Sequence, residues 1–595
     1  MKQFFITVGG VFVGLILFFV LVPIFFISLI ASSISAQAER APKTNAAVLE
    51  LDLRDGLPDQ DTGSLFGGRK LSVMRIVTTL RRAETDSKVK SVLVRLPEGG
   101  VSPAAADELR LAFIHFRKAN KPILAFSQGL YPSGMIASTY ELGAASGEFW
   151  MQRDASFQAT GVATSEMFLK RFFDKHQIKA DYEQRYEYKN AVNPFLYDDY
   201  TPAHREATLG WMTSVYETAL NAAATDRKLD PKSLRQVIEA GPYAAPEAMA
   251  KGLIDKVGDV HEAEQELLAR AGDDAKIEEF GDYYSAAKAS TGSGPTIALI
   301  GAEGDIVTGR GKADPFSSDT SIHSDETAKS FYEAIADKNV KAIVFRVSSP
   351  GGSPEASQQI AAAVRAAKAA GKPVVVSMGT YAASGGYMIS SPASAIVAEP
   401  STLTGSIGVF GGKFALGPAL AQFGIDSHDL TVGGDYADAF SSSQGFTPSQ
   451  HAKFAGVIDQ IYTDFIANVS EGRKLPEAKV REIAKGRVWT GEQALKIGLV
   501  DSLGGVYEAI DKAKQLANIP ESSEIKLKRF PANKGFFGEL GEAFGASESS
   551  MRTVAAAAWI LGDPRSQAIM DKLGEARAHA DGRGLLLAPK ELPRQ

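Results

Sequence analysis

The chain has 595 residues, too many for one ordinary hydrophobic core and enough for roughly two to four domains at about 150 residues each. Hydrophobic residues make up 45% and charged residues 23%, an ordinary globular balance, and a net charge of −6 without a long basic run argues against nucleic acid as a partner. There is no cysteine, which excludes disulfides, thiol catalysis and cysteine metal sites and suits an oxidising compartment.

The first predicted element is a membrane span. Phe4 to Ala36 runs for about 33 residues without a charge, whereas a bilayer core needs roughly 20 and the apolar region of a cleaved signal peptide is only about 7–15. A transmembrane anchor with a short linker is therefore expected over residues 1–45. "AQA" at Ala36–Ala38 has the small-residue form of a cleavage site and leaves processing open. Lys2 and the amino terminus lie on one side of the span, Arg40 and Lys43 on the other. N-terminus inside, with the bulk of the chain outside, fits better.

Beyond the span the chain is written twice. "KSVLVRLPEGGVSPAAADELRLAFIHFRKANKPILAF" from Lys90 aligns without a gap to "KAIVFRVSSPGGSPEASQQIAAAVRAAKAAGKPVVVS" from Lys341, pairing Arg95 with Arg346 and Gly100 with Gly351. The period far exceeds that of solenoid repeats, so this is a duplicated domain. Each copy reads as an apolar strand, a Gly-rich turn, an Ala-rich helix and a second apolar strand, which predicts α/β units. In the second copy the helix ends at Gly371, and a turn and another helix start near Ser384. The expected domains are 46–285 and 296–520, joined by a Gly/Ser-rich linker over 286–295 and followed by an extension over 521–595 with amphipathic helical segments.

Both copies need the fold, so residues present in only one are the better candidates for chemistry. In the first turn, "SSPGGS" (Ser348–Ser353) faces "LPEGGVS", and Gly352 falls opposite Val101. Adjacent glycines would expose backbone N–H groups to a developing oxyanion, although, taken alone, they read better as a plain strand-to-helix turn. In the second turn, "YAASGGYM" faces "LYPSGMIA": Ser133 lies opposite Ser384, but Pro132 and Met135 crowd it. Small residues on both sides make Ser384 the candidate nucleophile, at a helix N-terminus. None of the eight histidines lies in either glycine turn, and serine–lysine pairs are a known alternative to a histidine base. "RYEYKNAVNPF" offers Lys189, which falls opposite Ala437 in the second copy. One copy keeps the lysine and the other the open serine. In "TLTGSIGVFGG", Ser406 falls opposite Val162; its hydroxyl either orients the lysine or caps a turn.

These motifs together resemble the long, duplicated form of the signal peptide peptidase A family, over nearly the whole chain. The resemblance implies two tandem Clp protease/crotonase-like α/β domains after an N-terminal transmembrane helix. It implies a serine endopeptidase of the bacterial inner membrane, facing the periplasm and degrading released signal peptides. Carried over, Ser384 is the nucleophile, Lys189 the general base and Ser406 its support, while Gly351 or Gly352 and the N–H of Gly385 match the oxyanion region. No cofactor, metal or nucleic acid is called for, and a homotetramer is implied. The family often has serine or aspartate after the lysine, where this chain has Asn190. Two other readings stay open: a crotonase-like acyl-CoA enzyme and a non-catalytic membrane scaffold.

Overall fold

Strand Val340–Ser349 is apolar and buried along both faces, as expected for the middle of a parallel sheet covered on two sides. Its side chains alternate: Ile343, Phe345 and Val347 enter one core, Ala342 and Val344 another. The computed structural model in which this is seen describes residues 46–60, 71–286, 294–311, 320–531 and 586–587. The expected span at 4–36, most of the 286–295 linker and nearly all of the helical extension after 531 lie outside the described residues. Among those residues no helix is long and apolar enough to cross a membrane.

The duplication is visible strand for strand. The first copy has six parallel strands in the order Lys256–Val257, Gly147–Met151, Ile123–Ser127, Val89–Leu96, Ala47–Asp52, Lys276–Glu279. The second repeats it as Ser502–Leu503, Ala395–Ala398, Val374–Ala383, Val340–Ser349, Thr296–Glu303, Lys526–Phe530. The second copy also carries Leu403–Gly405 and, antiparallel to it, Val488–Thr490. Helices match in length: Pro103–Lys118 and Pro354–Ala369 have 16 residues each, Pro202–Arg227 and Pro448–Arg473 have 26. Thr201 and Thr447 cap the starts of the long pair through their side chains, and Lys228 and Lys474 end them in the left-handed region. The helix beginning at Pro354 stops as read, with Gly371 left-handed at φ +77°.

The copies share a core. Ile297, Leu299, Ala342, Val344 and Val375 of the second sheet belong to the same apolar cluster as the first copy's helices Val73–Thr85 and Pro103–Lys118. Across this seam Arg346, 1% exposed, reaches Asp59 at 3.0 and 2.6 Å, Glu108 at 2.7 Å and Ser377 at 2.8 Å. Further carboxyls crowd the same region. Burial pushes Asp107 up to about 6 and Glu303 up to about 7. Glu141 and Glu399 are held well above the carboxylate range by burial and then by neighbouring carboxyls. Arg346, and the partly buried Arg110 beside Asp107 and Glu141, thus face more buried acids than they pair with, and burial favours the protonated form of the rest.

A second contact fastens the copies. Strand Lys179–Arg185 of the first pairs antiparallel with Val409–Ala415 of the second, Arg185 opposite Val409 and Lys179 opposite Ala415.

Arg346 makes the seam testable against its own repeat counterpart. Arg346→Ala is expected to destabilise the protein by roughly 3–5 kcal/mol in denaturant unfolding, because Asp59 and Glu108 are left buried without their cation. Arg95→Ala, which loses only a partly exposed pair with Glu50 at 3.1 Å, is expected to cost about 1 kcal/mol or less. Equal losses at the two sites would show that the seam does not depend on Arg346.

Candidate active site

Ser384 sits where strand Val374–Ala383 turns into the short helix Gly385–Ser390, and it caps that helix with φ +56° and ψ −119°. Such a backbone is strained for a residue with a side chain. It is held by the Ser384 N–H donating to Gly405 O at 2.9 Å and by Met388 N–H donating to Ser384 O at 2.9 Å. Gly405 ends strand Leu403–Gly405, so the turn that presents Ser384 is tied to the strand that leads into Ser406. Ser406 is itself left-handed at φ +49°, with its N–H donating to Arg487 O at 2.7 Å.

Lys189 arrives from the other copy. The seam strand ends at Arg185, and after three residues Lys189 caps a single 3-10 turn, Asn190–Val192. Its Nζ lies 2.9 Å from Ser384 Oγ, 3.0 Å from Ser406 Oγ and 3.1 Å from Ser406 O. All three residues are fully buried. Among the described residues no carboxylate pairs with Lys189. Burial alone drives the amine well below its ordinary value of 10.5. Asn190 leaves the amine alone: its Oδ1 accepts from Asn193 Nδ2 at 3.4 Å.

The repeat counterparts lack this environment. Ser133 is exposed in a loop, and Ala437 is exposed on the surface. The complementary loss legible in sequence is a loss of burial as well as of a functional group.

The glycines are where the sequence reading put them, for a different reason. Glycine at 352 was expected to keep a Cβ out of a substrate's path. In fact Gly351–Gly352 forms a short strand beside Asp305–Val307, and a Cβ at 352 would collide with the backbone of Ile306. A Cβ at Gly385 would stand 2.7 Å from Ser357 Oγ and 3.1 Å from Gly352 N; one at Gly386 would stand 2.5 Å from Ser349 O. The clearing around Ser384 is filled by the protein's own backbone, which packs the serine turn onto the glycine strand. Gly351 N–H donates to Ser349 Oγ at 3.2 Å, leaving Gly352 and Gly385 as the adjacent pair.

Gly486 was missed by the sequence reading. A Cβ there would stand 2.5 Å from Lys189 Cβ and 2.6 Å from Lys189 N, and its own φ is +83°. It lets the second copy's chain pass against the lysine. The only local signal is the "KGR" turn at Lys485–Arg487, which nothing in the sequence connects to Lys189.

Comparison with known proteins identifies the family. A model of peptidase family S49 matches the chain twice, over residues 115–273 and 366–520. "Protease 4" of Salmonella typhi is 34% identical over 464 residues, covering 76% of this chain and 73% of that one. "Protease 4" of Haemophilus influenzae is 30% identical over 485 residues, 77% and 75% of the two chains. The chloroplastic serine protease SPPA of Arabidopsis thaliana is 29% identical over 491 residues, 81% and 71%.

Burying an amine sets a stability prediction with a definite sign. Lys189 titrates lower folded than unfolded, so between the two values the unfolded chain binds the extra proton and stability rises with pH. Lys189→Met is therefore expected to unfold at higher temperature than wild type at pH 7, with the gain shrinking as pH approaches 10.5. A gain that stays constant with pH would mean that the lysine is not deprotonated on folding.

Proposed function

This chain belongs to peptidase family S49 and is a serine peptidase, and on that premise we propose that it cleaves peptide bonds with Ser384 as nucleophile and Lys189 as general base. The observation that carries the reading is the 2.9 Å approach of Nζ to Oγ, between two fully buried residues contributed by different copies of one domain. The acyl-CoA and scaffold readings leave that pair without a task.

The hydrogen-bond inventory fits a neutral amine. A neutral lysine has two N–H groups and one lone pair. The two N–H groups donate to Ser406 O and Ser406 Oγ, and the lone pair is left facing the Ser384 hydroxyl. As Oγ attacks the peptide carbonyl, its proton passes to Nζ and the Oγ–C bond forms. The oxyanion takes hydrogen bonds from Gly352 and Gly385 N–H, each worth roughly 3–4 kcal/mol in such sites. Collapse breaks the C–N bond, and Nζ returns the proton to the leaving amine. Water then enters: its oxygen bonds to the acyl carbon as a proton passes to Nζ, and on collapse the C–Oγ bond breaks and Nζ returns that proton to Ser384 Oγ, releasing the acid. Because the site is apolar, the ammonium form is unfavourable there, and each proton is readily handed on.

The matching strand order supports placing each copy in the Clp protease/crotonase fold. The apolar stretch Phe4–Ala36 supports an inner-membrane anchor with the catalytic domains in the periplasm. Released signal peptides, apolar and extended, are the substrates proposed for a site tethered there. A homotetramer is the proposed assembly. One segment carries Phe423 at 78% exposure, Leu430 at 100% and Val432 at 97%, more apolar surface than a lone protomer usually leaves in water.

Ser384→Ala and Lys189→Ala are each expected to lower kcat by about 10⁴-fold or more with the fold intact. Lys189→Arg is expected to be equally inactive, since a guanidinium stays charged. A fluorophosphonate probe should label wild type at Ser384 alone. Wild-type turnover of an apolar peptide by either alanine variant would overturn the dyad. For the assembly, the detergent-solubilised protein should measure as four copies, and Leu430→Asp with Val432→Asp should reduce it. A monomeric wild type would remove the tetramer.

A further inference from the structure

The loop that carries Lys189 is gripped by a single turn of the second copy. Lys485 and Gly486 are both left-handed, at φ +57° and +83°, and the turn they make runs through Arg487 into strand Val488–Thr490. On one side, Lys485 O accepts from the N–H groups of Tyr186 and Tyr188, each at 3.2 Å. On the other, Gly486 N–H donates to Ile407 O at 2.8 Å and Arg487 O accepts from Ser406 N–H at 2.7 Å. Three consecutive residues thus hold the main chain of the lysine loop and of Ser406, whose oxygens accept from the amine. The side chains repeat the match. Lys485 Nζ pairs with Glu187 at 2.9 Å. Arg487 Nη1 pairs with Glu206 at 2.7 Å, and Glu206 also accepts from the Tyr188 hydroxyl at 2.8 Å. The Arg487 guanidinium lies 4.9 Å from the centre of the Tyr188 ring and 4.4 Å from that of Trp489. Gly486, between them, lies against Lys189 itself.

We infer that Arg487 is a positioning residue for the general base: it keeps the Lys189 loop closed over the buried amine and in line with Ser406. This role rests on the reading of Lys189 as the base. Two observations separate it from plain support of the fold. The ion pairs are surface ones, with Arg487 21% and Glu206 55% exposed, Lys485 44% and Glu187 47%, and pairs so exposed contribute little to folding. The charged and titratable groups around the loop are Tyr186, Glu187, Tyr188, Glu206, Lys485 and Arg487. None of their charges moves the amine, which burial alone perturbs. The clamp therefore acts on alignment and on water access, not through charge. Without the guanidinium, the loop loosens and water reaches Nζ, which returns the amine towards its ordinary basicity. Arginine suits the place because its flat group can lie against two rings while it binds a carboxylate, which an ammonium cannot do.

The test is the pH dependence of hydrolysis of a quenched-fluorescence apolar peptide by the full-length, detergent-solubilised protein. In Arg487→Ala, kcat near neutral pH is expected to fall roughly 10–100-fold with little change in KM. The acid limb of its kcat/KM profile, which reports the base in the free enzyme, should move to higher pH, so that the deficit narrows as pH rises. Arg487→Lys keeps a cation opposite Glu206 but not the flat group against the rings; it should recover part of kcat and place the limb between the other two. Glu206→Gln weakens the same clamp from its exposed side and should move the limb in the same direction by less, which keeps the role testable if circular dichroism shows Arg487→Ala unfolded. Arg270→Ala breaks comparably exposed pairs with Glu148 and Glu266 in the first copy and should leave kcat and the limb as in wild type. A loss of kcat that is uniform across pH, with the limb unmoved, would show that Arg487 only supports the fold and would overturn its positioning role. If Lys189→Ala is inactive while Arg487→Ala keeps the wild-type profile, the positioning role fails and the dyad stands. If Lys189→Ala stays active, the dyad itself fails.

Discussion

Everything at the reactive site depends on the ladder between strands Lys179–Arg185 and Val409–Ala415. It is the place where one copy of the domain is hydrogen-bonded to the other as sheet. It ends just before Lys189 on one side and begins just after Ser406 on the other. A ladder fixes register to the residue, because a slip by one would turn every side chain to the opposite face. The lysine amine is thereby set against the Ser406 carbonyl and hydroxyl with little freedom in its long side chain. Asp181, inside the ladder, adds to this by accepting from Phe446 N–H at 2.8 Å, which ties the following segment of the second copy to the same strand.

The ladder alone would leave an exposed lysine. Burial comes from the seam behind it, where the second sheet packs on helices of the first copy. Arg346 and its two carboxylates are a costly way to hold two surfaces together, since the ions must be desolvated, but the pair admits few alternative alignments. Glu399 near it, and Glu141 near Arg110, show the same pressure. With Arg346 paired to Asp59 and Glu108 and Arg110 to Asp226, burial pushes the surplus carboxyls towards keeping their protons. Lys189 resolves its own burial in the mirror sense, by losing one. Burial thus shifts the acids up and the amine down, and both shifts favour the neutral form.

Left-handed backbone occurs at helix ends such as Lys228 and Lys474, and it occurs at the site as well. Ser384 and Ser406 both have positive φ, and each is held by a hydrogen bond from its own N–H, to Gly405 O and Arg487 O respectively. The surrounding sheet overdetermines both conformations, which is the condition under which strain of this kind persists. The glycines complete the picture by letting backbone lie on backbone: Gly385 on Gly352, Gly386 on Ser349, Gly486 on Lys189.

The sequence by itself determined the duplication, the α/β alternation, the end of one helix at Gly371 and the three polar residues that the structure brings together. Each of these rests on local pattern or on comparing one copy with the other, while the strand order, the same in both copies, comes from the tertiary structure. Ser384 was legible because its repeat counterpart is crowded by Pro132 and Met135, and Lys189 because its counterpart is Ala437. Only the tertiary structure decided why the glycines are glycines, that Gly486 shapes the lysine's position, and that Arg346 joins the copies while Arg95 stays within its own. These are contacts between segments tens to hundreds of residues apart. Periodicity and spacing carry no information about which distant backbone will pass within a van der Waals radius of a given Cα, because that is set by how whole sheets and helices settle against each other.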